Sequence, residues 1–304
     1  MCAARRPCDE RDAEHRRVAP STADPSAGDC TQGLVLLRHG ESSANAAGRF
    51  TGRWDVDLTV TGERQAATAA GLLEQVAFTP GVVFSSPLTR SLRTAQIVLD
   101  LLFAQQRRPS LDVEEALTER GYGVLTGLRK DRAREEFGTD QTRQWRRSLT
   151  SRPPTRTELL ENVSQQHPGE GNSWSEHLER VQPDSRVPGW DGTATLGPPV
   201  GATEISETLV EVVSRVRQWF EETLSPVLAL QVPLLVVAHG NSLRALTMLL
   251  DDLSEEQVKA LNIPTGHPLH YDVAHGEVIT GSGRYLDPVA AGAAAQAVAR
   301  EGGT

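Results

Sequence analysis

Two short apolar runs end the same way. Leu34–Leu37 leads into Arg38, His39 and Gly40, and Leu234–Ala238 leads into His239, Gly240 and Asn241. Runs of four or five aliphatic residues suit strands buried on both faces, which is the condition of a parallel sheet covered by helices on each side. The intervening chain supplies those helices. Thr61–Gln75 reads as a helix with Thr61 as N-cap, and Val82–Ser85 as a second strand stopped by Pro87. Leu88–Phe103 is a helical stretch, followed by short ones at Leu128–Phe137 and Asp140–Arg147. Leu209, Val212, Val213, Val216, Trp219 and Phe220 fall at the spacing of an amphipathic helix. Leu243–Leu250 reads as another helix, and Leu269–Val273 with Glu277–Thr280 as a closing hairpin. Strands alternating with helices imply an α/β fold, a three-layer sandwich with a mostly parallel central sheet flanked by helices.

One domain, residues 33–287, accounts for these elements, because no linker separates two self-sufficient cores. Residues 1–32 are charged, contain proline and lack an apolar period, which predicts a disordered N-terminal tail. Residues 150–203 are rich in Pro, Gly, Ser and Thr and read as a long insertion or loop. Residues 288–304, rich in Ala and Gly, read as a mobile C-terminal tail. The three cysteines, Cys2, Cys8 and Cys30, all precede the first strand, so neither a disulfide framework nor a zinc site is implied. The N-terminus lacks the apolar stretch of a signal peptide, and no apolar run is long enough to span a bilayer. A cytoplasmic setting is expected.

The formal net charge of −9 argues against nucleic acid and anionic membranes as partners. The charge is unevenly placed. Residues 31–150 hold 16 basic and 14 acidic side chains, whereas residues 151–304 hold 10 basic and 20 acidic. A small anion could therefore still be accommodated in the first of these segments.

In open α/β sheets, ligand sites gather at the carboxyl ends of the strands, where both His-Gly pairs stand. A glycine after each histidine lets the backbone turn tightly and approach a ligand. A neutral imidazole is a competent nucleophile near pH 7, and arginines match the oxygens of a phosphoryl group. Arg38, Arg90, the second histidine and backbone N–H groups could supply the fixed donors that a transferring phosphoryl group needs. Phosphoryl transfer through a phosphohistidine, with no metal, follows from this chemistry.

At these residues the chain resembles a known family. LLRHGE at Leu36–Glu41 is similar to the signature of the histidine phosphatase superfamily. RHGESSAN, RFTGRWDVDLT, SSPLTRSLRTA, LTERGYGVLTGLRK, QWRR, AHGNSLRAL and NIPTGHPL together resemble its cofactor-dependent phosphoglycerate mutase branch. The resemblance covers roughly residues 33–150 and 204–297. It implies that His39 is the phosphorylated nucleophile, that Arg38, Arg90 and His239 hold the transferring group, and that Gly240 adds a backbone donor. It makes Glu119 the general acid/base for the substrate hydroxyl. It also implies that Asn45, Thr51, Gly52, Tyr122, Lys130, Arg146, Arg147 and Asn241 bind the substrate's phosphate and carboxylate. Ser42 falls where mutases carry Ser and the bisphosphoglycerate-synthesising relatives carry Gly. Arg146 and Arg147 read alternatively as a solvated helix face, and Tyr122 as core packing.

The activity implied is interconversion of 3-phosphoglycerate and 2-phosphoglycerate in glycolysis and gluconeogenesis. Its cofactor is 2,3-bisphosphoglycerate, which primes the phosphoenzyme. The alternative is a divergent histidine phosphatase acting on small phosphomonoesters. Family members form dimers or tetramers, but no interface is legible here. Three positions depart from the pattern. Gly121 replaces a side chain inside ERxYG, Ala44 stands where an aromatic is common, and Arg53 where Trp is frequent.

Overall fold

The computed structural model describes residues 32–166 and 200–301. The expected N-terminal tail, all but its last residue, and much of the expected insertion lie outside the described residues.

Eight strands occur among them: β1 (Leu34–Arg38), β2 (Val82–Ser85), β3 (Ser110–Val113), β4 (Leu234–Ala238), β5 (Leu269–Tyr271), β6 (Val273–Ala274), β7 (Glu277–Val278) and β8 (Arg284–Tyr285). The main sheet has the order β3-β2-β4-β1-β5-β8. Its first four strands are parallel, while β5 runs antiparallel to β1 and β8 antiparallel to β5. The two His-Gly strands are direct neighbours, in a register that pairs Arg38 with Ala238. That pairing brings His39 and His239 side by side at one end of the sheet.

The helices are α1 (Ser43–Ala46), α2 (Val60–Gln75), α3 (Thr89–Leu102), α4 (Lys130–Phe137), α5 (Thr139–Arg147), α6 (Arg156–Gln166), α7 (Val200–Thr203) and α8 (Leu209–Trp219). A π-helical turn at Phe220–Leu224 continues α8 into α9 (Ser225–Leu228), followed by α10 (Gly240–Asp251), α11 (Glu255–Ala260) and α12 (Pro288–Glu301). Alternation along the central strands builds two cores. Leu34, Leu36, Leu234 and Val236 pack with Leu209, Val212 and Val216 of α8 and Leu243 and Leu246 of α10. Val35, Leu37, Leu235 and Val237 pack with Ala69, Ala70 and Leu73 of α2 and Val98 and Leu99 of α3. The sheet is therefore buried on both faces, as the two-sided apolar runs require.

Several expectations change in detail. The cap of α2 is Thr59, whose side chain accepts from the Gly62 N–H at 3.0 Å; Thr61 lies inside the first turn. The 150–203 stretch includes the helix α6, whose residues show no steady apolar period. The expected closing hairpin is divided: β5 joins the main sheet, while β6 and β7 pair with each other. Residues 288–301, expected as a tail, form α12, in which Ala291 is buried. The short edge strands β3 and β8 and the helix α11 had no clear sequence signal.

Candidate active site

The helix after β4 starts at Gly240 itself, three residues before the first apolar residue of its stripe, with His239 at the N-cap. Gly240 therefore lies in a helical first turn, not in an open loop, and its N–H is one of the donors a helix start leaves free of intrahelical bonds. Gly40 is constrained differently. A side chain there would meet the Gly62 carbonyl oxygen at 2.2 Å, so glycine at position 40 lets α2 begin directly against the strand end.

His39 is buried and held from several sides. Its Nδ1 lies 2.6 Å from the Gly40 carbonyl oxygen, which can only accept, so Nδ1 carries the proton. The lone pair is thereby left on Nε2, toward which Arg90 Nε donates at 3.3 Å. The Gly40 N–H donates to Thr94 Oγ1, which in turn donates to the Arg90 carbonyl. Burial, reinforced by the charges of Arg90 and Arg38, pushes the His39 imidazole well below its ordinary range. The site thus holds a neutral imidazole of fixed tautomer with its lone pair on Nε2, the state that nucleophilic attack by a histidine requires.

Arg90 is as confined as the histidine, with 1% exposure. Its Nη1 donates to Trp54 O and its Nη2 to Gly52 O, each at 2.9 Å. Burial lowers its pKa to about 10, so it remains a cation at neutral pH. Arg38 is anchored by Nη1 to Ile263 O at 2.7 Å. His239 packs edge-on to His39, and its Nε2 lies 2.8 Å from Ser86 Oγ. It is fully buried against His39 rather than part of the cavity wall. Burial, with Arg90 next, also holds its pKa well below the ordinary histidine value.

Glu119 faces this group across a cavity of about 160 Å³. Three donors converge on its Oε1: the Arg120 N–H at 2.8 Å, the Asn241 N–H at 3.2 Å and Asn241 Nδ2 at 3.0 Å. None of these three contacts involves Oε2. The second hydrogen of Asn241 Nδ2 reaches Tyr122 Oη at 3.0 Å, so Tyr122 both packs on Phe50 and belongs to the site.

The cavity wall carries further cations. Lys130, Arg146 and Arg147 line it, as do Asn45, Thr51 and Gly52. Arg147 is fixed by Nη2 to Asn262 Oδ1 at 2.7 Å and by Nη1 to the Lys259 carbonyl at 3.3 Å. Burial, with Arg146 beside it, lowers its pKa to about 10. Ser42 is the exception among the expected binding residues. It is fully buried and outside the lining, and its Oγ donates to Asn45 Oδ1 at 2.9 Å while accepting from the Asn45 N–H. Its place is to orient Asn45.

Sequence reasoning missed Arg49, Arg244 and the loop Leu261–Thr265, all of which reach the wall, and Val298 of α12. The loop had a signal in NIPTGHPL. Val298 had none, because an Ala-rich helix far along the chain gives no hint of where it docks. Among the described residues no cluster of three or more His, Cys, Asp or Glu side chains could hold a metal ion.

The departures from the family pattern have local causes. A side chain at Gly121 would meet the Ile205 carbonyl oxygen at 2.6 Å, so its absence lets residues 205–207 approach. Glu207 then accepts from the Gly121 N–H at 2.8 Å, from Arg53 Nη2 at 3.1 Å and from Arg215 Nε at 3.0 Å. Two of the three departures thus meet on one carboxylate. The third, Ala44, fits beneath Trp54 and Val56.

The family model described as histidine phosphatase superfamily (branch 1) matches residues 34–182. A protein of Corynebacterium efficiens named 2,3-bisphosphoglycerate-dependent phosphoglycerate mutase is 38% identical over 89% of this chain and 97% of its own. The chain belongs to the histidine phosphatase superfamily. A Cutibacterium acnes relative of the same name is 39% identical over 90% of this chain and 99% of its own. Among solved structures in this superfamily fold, a mycobacterial glucosyl-3-phosphoglycerate phosphatase aligns with TM-score 0.55 and 21% identity, over 84% of this chain and 96% of that one. The α-ribazole phosphatase of Shigella flexneri aligns with TM-score 0.54 and 20% identity, over 84% of this chain and 95% of that one. At that identity the likeness is one of fold.

Proposed function

We propose that this histidine phosphatase superfamily member is a phosphoglycerate mutase of the cytoplasm, using 2,3-bisphosphoglycerate to prime His39. The observation that carries the reading is the presence of two cationic centres in one cavity. Arg38 and Arg90 stand at His39, and Lys130, Arg146 and Arg147 line the same cavity. A single phosphomonoester needs only the first. A phosphoglycerate carries a phosphate and a carboxylate, and the second centre matches whichever group points away from His39. The names of the relatives, in two bacterial genera, support the same substrate.

The chemistry follows from the residues. Arg90 and Arg38 offset charge on the equatorial oxygens of a transferring phosphoryl group, and the Arg90 Nε–H that meets Nε2 at 3.3 Å turns to those oxygens when Nε2 bonds to phosphorus. In the forward step the substrate hydroxyl oxygen bonds to phosphorus as the bond from phosphorus to His39 Nε2 breaks. Glu119 takes the hydroxyl proton, and His39 regains its lone pair. In the return step Nε2 attacks the other phosphoryl group, and Glu119 returns the proton to the departing oxygen. Lys130, Arg146 and Arg147 retain the bisphosphate between the steps, which keeps it from being lost to solvent while it reorients.

The test is a product assay with 3-phosphoglycerate in EDTA, with and without a trace of 2,3-bisphosphoglycerate. Formation of 2-phosphoglycerate that depends on the trace and survives EDTA supports the reading. Stoichiometric release of phosphate without 2-phosphoglycerate makes the protein a phosphatase.

A further inference from the structure

We infer that Arg244 is a positioning residue for Glu119, acting through the side-chain amide of Asn241. Arg244 lies one turn after Asn241 on α10 and is 5% exposed. Its guanidinium is aimed by a neighbouring helix. Nε donates to the Val258 carbonyl of α11 at 3.2 Å, and Nη2 donates to the same oxygen in a shorter contact. With two of its nitrogens fixed on one carbonyl, the third, Nη1, is directed at Asn241 Oδ1 at 3.2 Å.

An arginine has donors and no acceptor, so this contact decides which way the Asn241 amide faces. Oδ1 must meet Arg244. Nδ2 must then meet the cavity side, where it donates to Glu119 Oε1 and to Tyr122 Oη, both at 3.0 Å. Every polar position of that amide is engaged. Flipped, Asn241 would turn an oxygen toward the Glu119 carboxylate and a donor toward a cation. The chain Val258–Arg244–Asn241–Glu119 thus fixes the rotamer of the carboxylate and leaves Oε2 free for the proton. A lysine at 244 could hold the Val258 carbonyl or Asn241 Oδ1 but lacks the planar fork that serves both.

The inference takes from the proposed function only that Glu119 moves the proton. Its test is a double-mutant cycle of R244M and N241A, read as kcat and KM separately. The predicted result is that R244M lowers kcat about tenfold while KM changes less than about threefold, with little further loss of kcat when R244M is added to N241A. R244K should fall short of wild-type kcat despite keeping the charge, and it carries the test if R244M fails to fold. A raised KM with unchanged kcat, restored by R244K, would mean that Arg244 binds substrate directly and would overturn the proposal. Additive losses in the double variant would overturn it equally, as would wild-type kcat in R244M. Should the wild-type protein prove to hydrolyse phosphomonoesters, the mutase reading falls. The cycle is then read on the hydrolytic kcat, where Glu119 serves the leaving oxygen.

Discussion

The imidazoles of His39 and His239 meet edge to face, with 4.9 Å between ring centres and 61° between their planes. Both are buried beside Arg90, where burial and its charge disfavour a second proton on either ring. The pairing is a direct product of the parallel register between β1 and β4, which ends both strands at the same level. It joins His39 to a second ring that limits its rotation. It also means that the site trades stability at acid pH for neutral imidazoles.

That trade gives a pH signature. A histidine whose folded pKa is depressed binds fewer protons in the native state than in the unfolded one, so stability rises with pH across the interval between the two values. Acidification from the ordinary histidine value of 6.5 downward should cost up to about 1.4 kcal/mol per pH unit for each of His39 and His239. Urea melts at pH 7.5, 6.5 and 5.5 should show a falling midpoint in the lower interval, with a shallower fall in H239Q. An unchanged slope in H239Q would mean that this ring is not buried neutral.

Arg90 is held by two carbonyls as well as by His39, and its role depends on shape as much as on charge. R90K keeps the cation but cannot reach Gly52 O, Trp54 O and His39 Nε2 together. Loss of a fixed donor at a transferring group costs roughly 100-fold or more in rate. R90K should therefore fold yet lose about that factor in kcat, measured beside its melting curve.

Glu207 ties Gly121, Arg53 and Arg215 to one another, and burial pushes its carboxyl up while Arg215 and the Gly121 N–H more than offset this. Removing one partner of such a cluster leaves the other charges uncompensated. E207A should lose about 3 kcal/mol or more. R53A, whose side chain is 26% exposed, should lose under about 1 kcal/mol. Denaturant midpoints of the two variants rank these expectations, and equal losses would contradict them.

G40A places a methyl group 2.2 Å from the Gly62 carbonyl oxygen, too close to be relieved by a side-chain rotation. Backbone must shift at the strand end that carries His39. A loss of about 2 kcal/mol is expected, together with slower phosphorylation of His39, whereas G240A, whose methyl group meets only ordinary contacts beyond 3.5 Å, should retain stability.

Much of this was legible in the sequence for definite reasons. The apolar runs ending in His39 and His239 fixed the central strands, because a run buried on both faces has few other uses. The positions of Glu119 and Lys130 came from the family resemblance, that of Arg90 also from the donors a phosphoryl group needs, and the structure brings all three to one cavity. The edge strand Ser110–Val113 was not legible, since its exposed, mixed residues carry no clear period. Arg244 was passed over because an arginine inside an apolar helix looks like any partly exposed charge until Val258 O is seen to face it. Val298 depended on how a distant helix docks, which no local pattern encodes.

The central claim is that a phosphoryl group on His39 is handed to a phosphoglycerate rather than to water. Enzyme labelled from radioactive 2,3-bisphosphoglycerate, freed of excess label and mixed with unlabelled 3-phosphoglycerate, reports that choice in one turnover. The account predicts acid-labile label on wild-type protein and none on H39Q, with most of the chased label recovered in phosphoglycerates. Recovery of the label as inorganic phosphate, at a rate unaffected by 3-phosphoglycerate, would contradict it.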